Sequence, residues 1–235
     1  MKHGLSKLIH PLLLHIVKNR DLPTIVNVNE PPEVEGGAIY VTNHQCIHDI
    51  PVATISVSKH VFLLMGKQRL KVQDRLFFIL NGSIWVDRKS KKSRFMAKAK
   101  MKKLLTNGES VLLFPEGTWN YHPHNLLLPL NWGCVEIAQV CNAPIIPFVM
   151  DYRDDICRVK WGEIIEMPNH MDKKEGIAMV EESMATLLWE LCEDTPMMHR
   201  KDVPDDWWDK EWRRRVQAYP KLDEEYERSV ARKNN

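Results

Sequence analysis

Long apolar runs are missing from this 235-residue chain. A membrane-spanning helix needs ~18 consecutive apolar residues, and no stretch approaches that. A secretory leader is also not apparent. The start, MKHGLSKLIHPLLLHIVKNR, carries lysines and leucines, but Pro11 and His15 interrupt the apolar part and no small-residue cleavage site follows. The segment is expected to stay in the mature protein. Cysteines are few and odd in number: Cys46, Cys134, Cys141, Cys157 and Cys192. None falls in a C-x-x-C pair, which argues against a disulfide framework and for a reducing compartment. Gly 10 and Pro 14 exclude a collagenous or low-complexity chain. Apolar residues at 44 % and charged residues at 27 % fit one folded unit, at most two.

The net charge of +2 hides an asymmetry. Residues 1–120 hold 18 Lys/Arg against 9 Asp/Glu, and residues 121–235 hold 15 against 22. The basic half should face whatever anion the protein meets. The sharpest concentration is Arg88–Lys103, with nine cations and no acid: Arg88, Lys89, Lys91, Lys92, Arg94, Lys98, Lys100, Lys102 and Lys103. An anionic surface, such as anionic lipid, would suit it. Nucleic acid fits charge alone, but the acidic second half and the lack of a recognisable module argue against it.

Hydrophobic periodicity alternates along the chain. Residues 3–19 place Leu5, Leu8, Ile9, Leu12, Leu13 and Ile16 on one helical face flanked by lysines. Such a helix either lies flat in a membrane interface or packs on its own domain. Residues 20–37 read as a loop. Strands are expected at 38–41, 61–65, 83–86, 110–114 and 144–150, with helices at 68–80, 90–106, 132–140 and 174–192. The core side of 68–80 would carry Leu70, Leu76, Phe77 and Leu80. Residues 158–167 read as a hairpin around Gly162. This order predicts an α/β fold with a largely parallel or mixed central sheet and helices on both faces. The expected division is an amphipathic helix at 1–20, the main domain at 21–195 and a Trp-rich helical extension at 196–235. In that extension Trp207, Trp208 and Trp212 precede Arg213–Arg215. They suit either a membrane interface or packing over the domain.

Three strand ends carry chemistry. The first is Asn43-His44-Gln45-Cys46-Ile47-His48-Asp49. A carboxylate five residues after a histidine can orient one imidazole nitrogen while the other removes a proton. The plainer reading makes Asp49 a helix cap. His44, His48 and Asp49 also have metal-ligand spacing, and Cys46 has the chemistry of a nucleophile. The second is Phe114-Pro115-Glu116-Gly117-Thr118, suited to gripping a polyol or ordering a loop. The third is Gly82-Ser83-Ile84-Trp85-Val86-Asp87-Arg88, whose Arg offers planar donors to a phosphate or carboxylate. Ligands of α/β sheets collect at strand carboxyl ends, so the convergence outweighs each motif.

With these blocks in order, the sequence resembles the glycerophospholipid acyltransferase family, whose best-known member is lysophosphatidic acid acyltransferase. NHQCIHD matches its N-H-x4-D block, GSIWVDR its second, FPEGT its third and Ala143-Pro144-Ile145-Ile146-Pro147 its fourth. The resemblance implies an acyltransferase-like fold, His44 as general base and Asp49 as its orienting partner. It places Arg88, Glu116, Gly117 and Thr118 along the acceptor site. It implies direct attack of an acceptor hydroxyl on an acyl thioester, from acyl-CoA or an acyl carrier protein. No acyl-enzyme, cofactor or metal is expected. The acceptor would be a lyso-lipid such as lysophosphatidic acid, and the location peripheral, on the cytoplasmic side of a membrane. Two departures bear on the acceptor. Trp119 stands where many members have Arg, and residues 126–133 replace a Lys-rich, Gly-containing turn. Both remove cations from the region expected to hold phosphate, so an amino-acid lipid, as alcohol or amine, stays open. Rival readings are a metal-dependent hydrolase on His44, His48 and Asp49, and a non-catalytic lipid-binding protein.

Overall fold

A computed structural model describes residues 3–18, 21–57, 59–67, 72–120, 125–153, 155–195, 200–207 and 210. Seven strands form one sheet: β1 (Thr24–Asn27), β2 (Ile39–Val41), β3 (Val61–Gly66), β4 (Ile84–Val86), β5 (Ser110–Leu113), β6 (Ile145–Arg153) and β7 (Ile156–Trp161). Their order is β1-β7-β6-β2-β5-β3-β4. Every neighbouring pair is parallel except β6 with β7. The mostly parallel sheet with one antiparallel pair is the expected architecture. Parallel strands need crossovers, and the helices α2 (Asp49–Ser56), α3 (Val72–Leu80), α4 (Lys91–Thr106) and α5 (Gly133–Cys141) supply them from β2 to β6, while α1 (His3–Lys18) precedes β1 and α6 (Lys173–Asp194) follows β7.

Local chemistry sets several boundaries. The Ser90 hydroxyl accepts from Ser93 N at 3.2 Å and opens α4. Beyond its C-terminus Gly108 takes φ 75°, the left-handed conformation that favours glycine. The Asp172 carboxylate opens α6 by accepting from Lys174 N at 2.8 Å. Two apolar layers result. On one face Met101, Leu104, Val135, Val180, Met184 and Leu191 from α4, α5 and α6 cover the sheet. On the other, Val52, Ala53 and Val57 of α2 and its end pack over Tyr40, Leu63 and Phe148. α1 lies over α2 and α3.

Four expectations are corrected. Residues 20–37 are not wholly loop, because β1 pairs there with β7. The hairpin is not centred on Gly162. It joins β6 to β7, with Arg153 opposite Ile156. Ile165 makes only an isolated antiparallel bridge to Ile145. Leu76 is exposed, and Phe78 of α3 reaches the core instead; Leu70 lies outside the described residues. α1 turns Ser6, His10, Leu13 and Val17 inward, at a helical spacing, and leaves Leu8 78 % and Leu12 60 % exposed. The helical extension expected at 196–235 falls largely outside the described residues, as do Trp208, Trp212 and Arg213–Arg215.

Candidate active site

The register of β2 against β5 builds the site. Tyr40 pairs with Leu112 and Val41 with Leu113, and both strands run in the same direction. Their carboxyl ends therefore deliver residue 44 and residue 116 to one edge. Asn43 fixes the other flank by continuing the ladder toward β6. Its amide donates to Met150 O at 2.9 Å, and Met150 N donates to Asn43 Oδ1 at 2.8 Å. Gln45 Nε2 donates to the same Met150 carbonyl at 3.0 Å.

His44 Nδ1 lies 2.7 Å from Asp49 Oδ2. A carboxylate can only accept, so Nδ1 carries the proton and Nε2 keeps the lone pair. Asp49 is 0 % exposed and opens α2. It does not cap that helix. Its Oδ2 instead accepts backward, from Gln45 N at 2.5 Å and Cys46 N at 2.8 Å. The Cys46 thiol donates to Oδ1 at 3.4 Å. Two backbone donors thus hold one carboxylate oxygen and aim it at the imidazole. The ring lies against Phe114, with centroids 4.4 Å apart, and edge-on to Trp119 at 5.8 Å. His48 ends the turn before α2 with no side-chain cap bond.

The FPEGT block closes over this pair. Gly117 N donates to Phe114 O at 3.0 Å, and Gly117 takes φ 78°. The tight turn therefore needs a residue that tolerates the left-handed region. Glu116 is 0 % exposed. Its Oε1 accepts from His44 N at 2.7 Å and its Oε2 from Leu128 N at 2.8 Å. Burial pushes its carboxyl up to about 8, against the pull of the two backbone donors, with Asp49 adding to the rise. Thr118 and Trp119 are buried beside it.

Arg88 follows β4, at the same edge but three strands from β2. At a strand spacing of roughly 4.8 Å that is about 14 Å of sheet. Its guanidinium lies across β3, where a Cβ on Gly66 would come within 3.2 Å of it. The structure thus brings His44, Asp49, Glu116, Gly117 and Thr118 into one cluster and sets Arg88 at its far side. Lys67, exposed just after β3, stands between them.

Sequence reasoning missed two supports. Tyr152 of β6 sits beside the Asp49 carboxylate. Burial pushes its phenol up, and Asp49, Cys46 and Cys157 push further in the same direction. The other is the reach of Glu116 to Leu128. The motif was visible, but its partner twelve residues on was not. The basic run is also less open than its composition implies. Lys98 pairs with Glu136 of α5 at 2.5 Å, and Lys100 donates to the carbonyls of Gly82 and Ser83. Lys91, Lys92, Lys102 and Lys103 are exposed.

Comparison with known proteins places the chain among acyltransferases. The chain is 30 % identical over 129 residues to 1-acyl-sn-glycerol-3-phosphate acyltransferase alpha of Homo sapiens, covering 51 % of this chain and 43 % of that one. It is 27 % identical over 135 residues to 1-acyl-sn-glycerol-3-phosphate acyltransferase of Saccharomyces cerevisiae, covering 53 % and 42 %. These matches span less than half the length of either relative. The crystal structure of the 1-acyl-sn-glycerophosphate acyltransferase PlsC of Thermotoga maritima has the same fold. Its TM-score is 0.65 at 18 % identity, over 83 % of both chains. A family model of acyltransferases matches residues 16–151, which contain the histidine–aspartate pair, Arg88 and the FPEGT turn. With more than half of its length matched in this way, the chain belongs to the acyltransferase family.

Proposed function

We propose that the protein transfers a fatty acyl group from a thioester, acyl-CoA or acyl carrier protein, to the hydroxyl of a lyso-lipid such as lysophosphatidic acid. The observation that carries this reading is the 2.7 Å contact between His44 Nδ1 and the buried Asp49 carboxylate, which leaves Nε2 as the base. The acceptor hydroxyl attacks the thioester carbonyl carbon while Nε2 takes its proton. The tetrahedral adduct collapses, the C–S bond breaks, and the imidazolium returns the proton to the departing thiolate. Asp49 stabilises the transient imidazolium. Arg88 supplies a cation for an anionic headgroup. Nothing in these steps requires a metal or cofactor. The same contact would also suit a metal-ligating histidine, but among the described residues no group of three His, Cys, Asp or Glu side chains is placed to hold a metal ion. Burial and the neighbouring Asp49 push the Cys46 thiol up, which disfavours a thiolate nucleophile.

A second acceptor reading rests on Trp119, which is buried with its edge against the His44 ring. An aromatic wall in place of a cation suits an acceptor with less headgroup charge, such as an amino-acid lipid bearing a hydroxyl or amine. We place the protein at the cytoplasmic side of a membrane, and its surface supports the peripheral position. Among the described residues no helix is long and apolar enough to cross a membrane. The outward apolar faces of α1 (Leu8, Leu12, Ile16) and α3 (Val72, Leu76, Ile79) are exposed. The exposed lysines of α4 would add roughly 1 kcal/mol each against anionic lipid. Mass spectrometry of products after incubation with acyl-CoA and a panel of lyso-lipids and amino-acid lipids tests the reaction and names the acceptor. Formation of the acylated lipid is expected. Release of free fatty acid alone would refute it.

A further inference from the structure

The FPEGT glutamate has the chemistry of a substrate ligand but not the accessibility of one. Glu116 is 0 % exposed, and each of its oxygens already accepts a main-chain N–H. One donor belongs to His44, the other to Leu128. The FPEGT turn and Asn120 just after it are bonded to each of these two segments at further points. Asn120 N donates to His44 O at 2.6 Å, so the His44 residue is gripped at both its amide and its carbonyl. Asn120 Nδ2 reaches the carbonyls of Asn125 and Leu126 at 3.0 and 3.2 Å. Asn131 donates to Pro115 O through its backbone at 2.9 Å and its side chain at 2.8 Å. Residues 125–131 are otherwise largely exposed, with Leu127 alone buried in the core. A carboxylate bonded in this way to a catalytic backbone and to an exposed segment keeps the two in fixed relation.

We propose that Glu116 is a positioning residue, which ties the exposed 125–131 segment to the His44 backbone and does not touch the acceptor. The kinetic part rests on the acyl-transfer reading above; the structural part does not. Small displacements matter here, because misplacing a catalytic group by ~1 Å can cost about 10²-fold in rate.

The test is Glu116→Gln, read by amide hydrogen exchange and by steady-state kinetics with acyl-CoA and the acceptor identified by the product assay. The amide group keeps one acceptor and sets an NH2 against the other main-chain N–H. Exchange at the His44 or Leu128 amide should accelerate at least about 10-fold, the scale of one lost hydrogen bond. kcat should fall about 10²-fold, with the acceptor KM within about twofold of wild type, since the acceptor loses no contact. Wild-type exchange at both amides would overturn the tie. A raised acceptor KM at unchanged kcat would overturn the positioning role and make Glu116 a ligand. Should the variant not fold, exchange in the wild-type protein decides. A shared tether predicts closely similar protection at the His44 and Leu128 amides. A protected His44 amide beside a freely exchanging Leu128 amide would overturn it. If no acyl transfer occurs at all, exchange still tests the tie while the reaction assignment fails alone.

Discussion

Replacing Asp49 by Asn isolates what the buried carboxylate contributes. Its Oδ2 accepts from His44 Nδ1, Gln45 N and Cys46 N, at 2.7, 2.5 and 2.8 Å. An asparagine that put its NH2 in that slot would face three donors. The side chain therefore turns its carbonyl toward them and keeps all three bonds in neutral form. Charge-assisted bonds are roughly twice as strong as neutral ones, and each is worth ~1.5–3 kcal/mol. The loss across three is on the order of 2–4 kcal/mol, enough to lower stability without unfolding a typical domain. Catalysis loses more. A carboxylate and an imidazolium about 4 Å apart at an effective dielectric of 20 attract by about 4 kcal/mol. That attraction exists only when His44 is protonated in the transition state, so its removal lowers kcat about 10³-fold. Urea denaturation and initial rates on the same preparation check both numbers. A folded Asp49→Asn protein retaining a third of wild-type kcat would refute the stabilisation of the His44 imidazolium by the Asp49 charge.

Two further predictions concern the first helix. Leu8→Glu with Leu12→Glu should leave the fold intact, because both side chains point outward, but should reduce sedimentation with anionic vesicles several-fold. Unchanged binding would mean that the outer face of α1 does not meet lipid. Beneath that helix His10 and His60 meet edge to face at 4.9 Å. Burial pushes His60 down to about 4, with the charge of His10 adding to it; burial also lowers His10. The unfolded chain thus takes up protons below about pH 6.5 that the folded state refuses until about pH 4. Stability should be full above that window and fall as pH drops through it, and His60→Gln should flatten the fall in a pH series of urea titrations. An equal slope in the variant would assign the acid loss to other groups.

Alternation of short apolar strands with capped helices makes the α/β class readable in the sequence. Ser90, Gly108 and the stripe from Val180 to Leu191 sit where their chemistry requires. β1 escaped because it is a four-residue edge strand among prolines, paired on one side only and mostly exposed, so burial imposed no apolar pattern. The β6–β7 turn did carry a signal, Asp154-Asp155 between two apolar strands, but Gly162 was the louder one. α1 misled for a different reason. Its most apolar stripe faces out and its inner face includes Ser6 and His10. Periodicity reports that a helix has two faces; which one meets the domain depends on what else the outer face contacts. At the site, the spacing of His44 and Asp49 is local and was legible. The role of Glu116 depends on Leu128, and the seating of Arg88 on Gly66. Spacing within a motif cannot reveal such contacts.

The most direct test of the account is acyl transfer by the purified protein and by its His44→Ala variant, read by mass spectrometry of the lipid product under single-turnover conditions. The variant removes the base and leaves the Glu116 and Asn120 contacts to the backbone of residue 44 in place, so folding should be retained. The account predicts a labelled acyl lipid from the wild-type protein, no acyl-protein, and a rate lower by ~10²–10⁴ in the variant. A folded His44→Ala protein that forms the same product at near wild-type rate would contradict it.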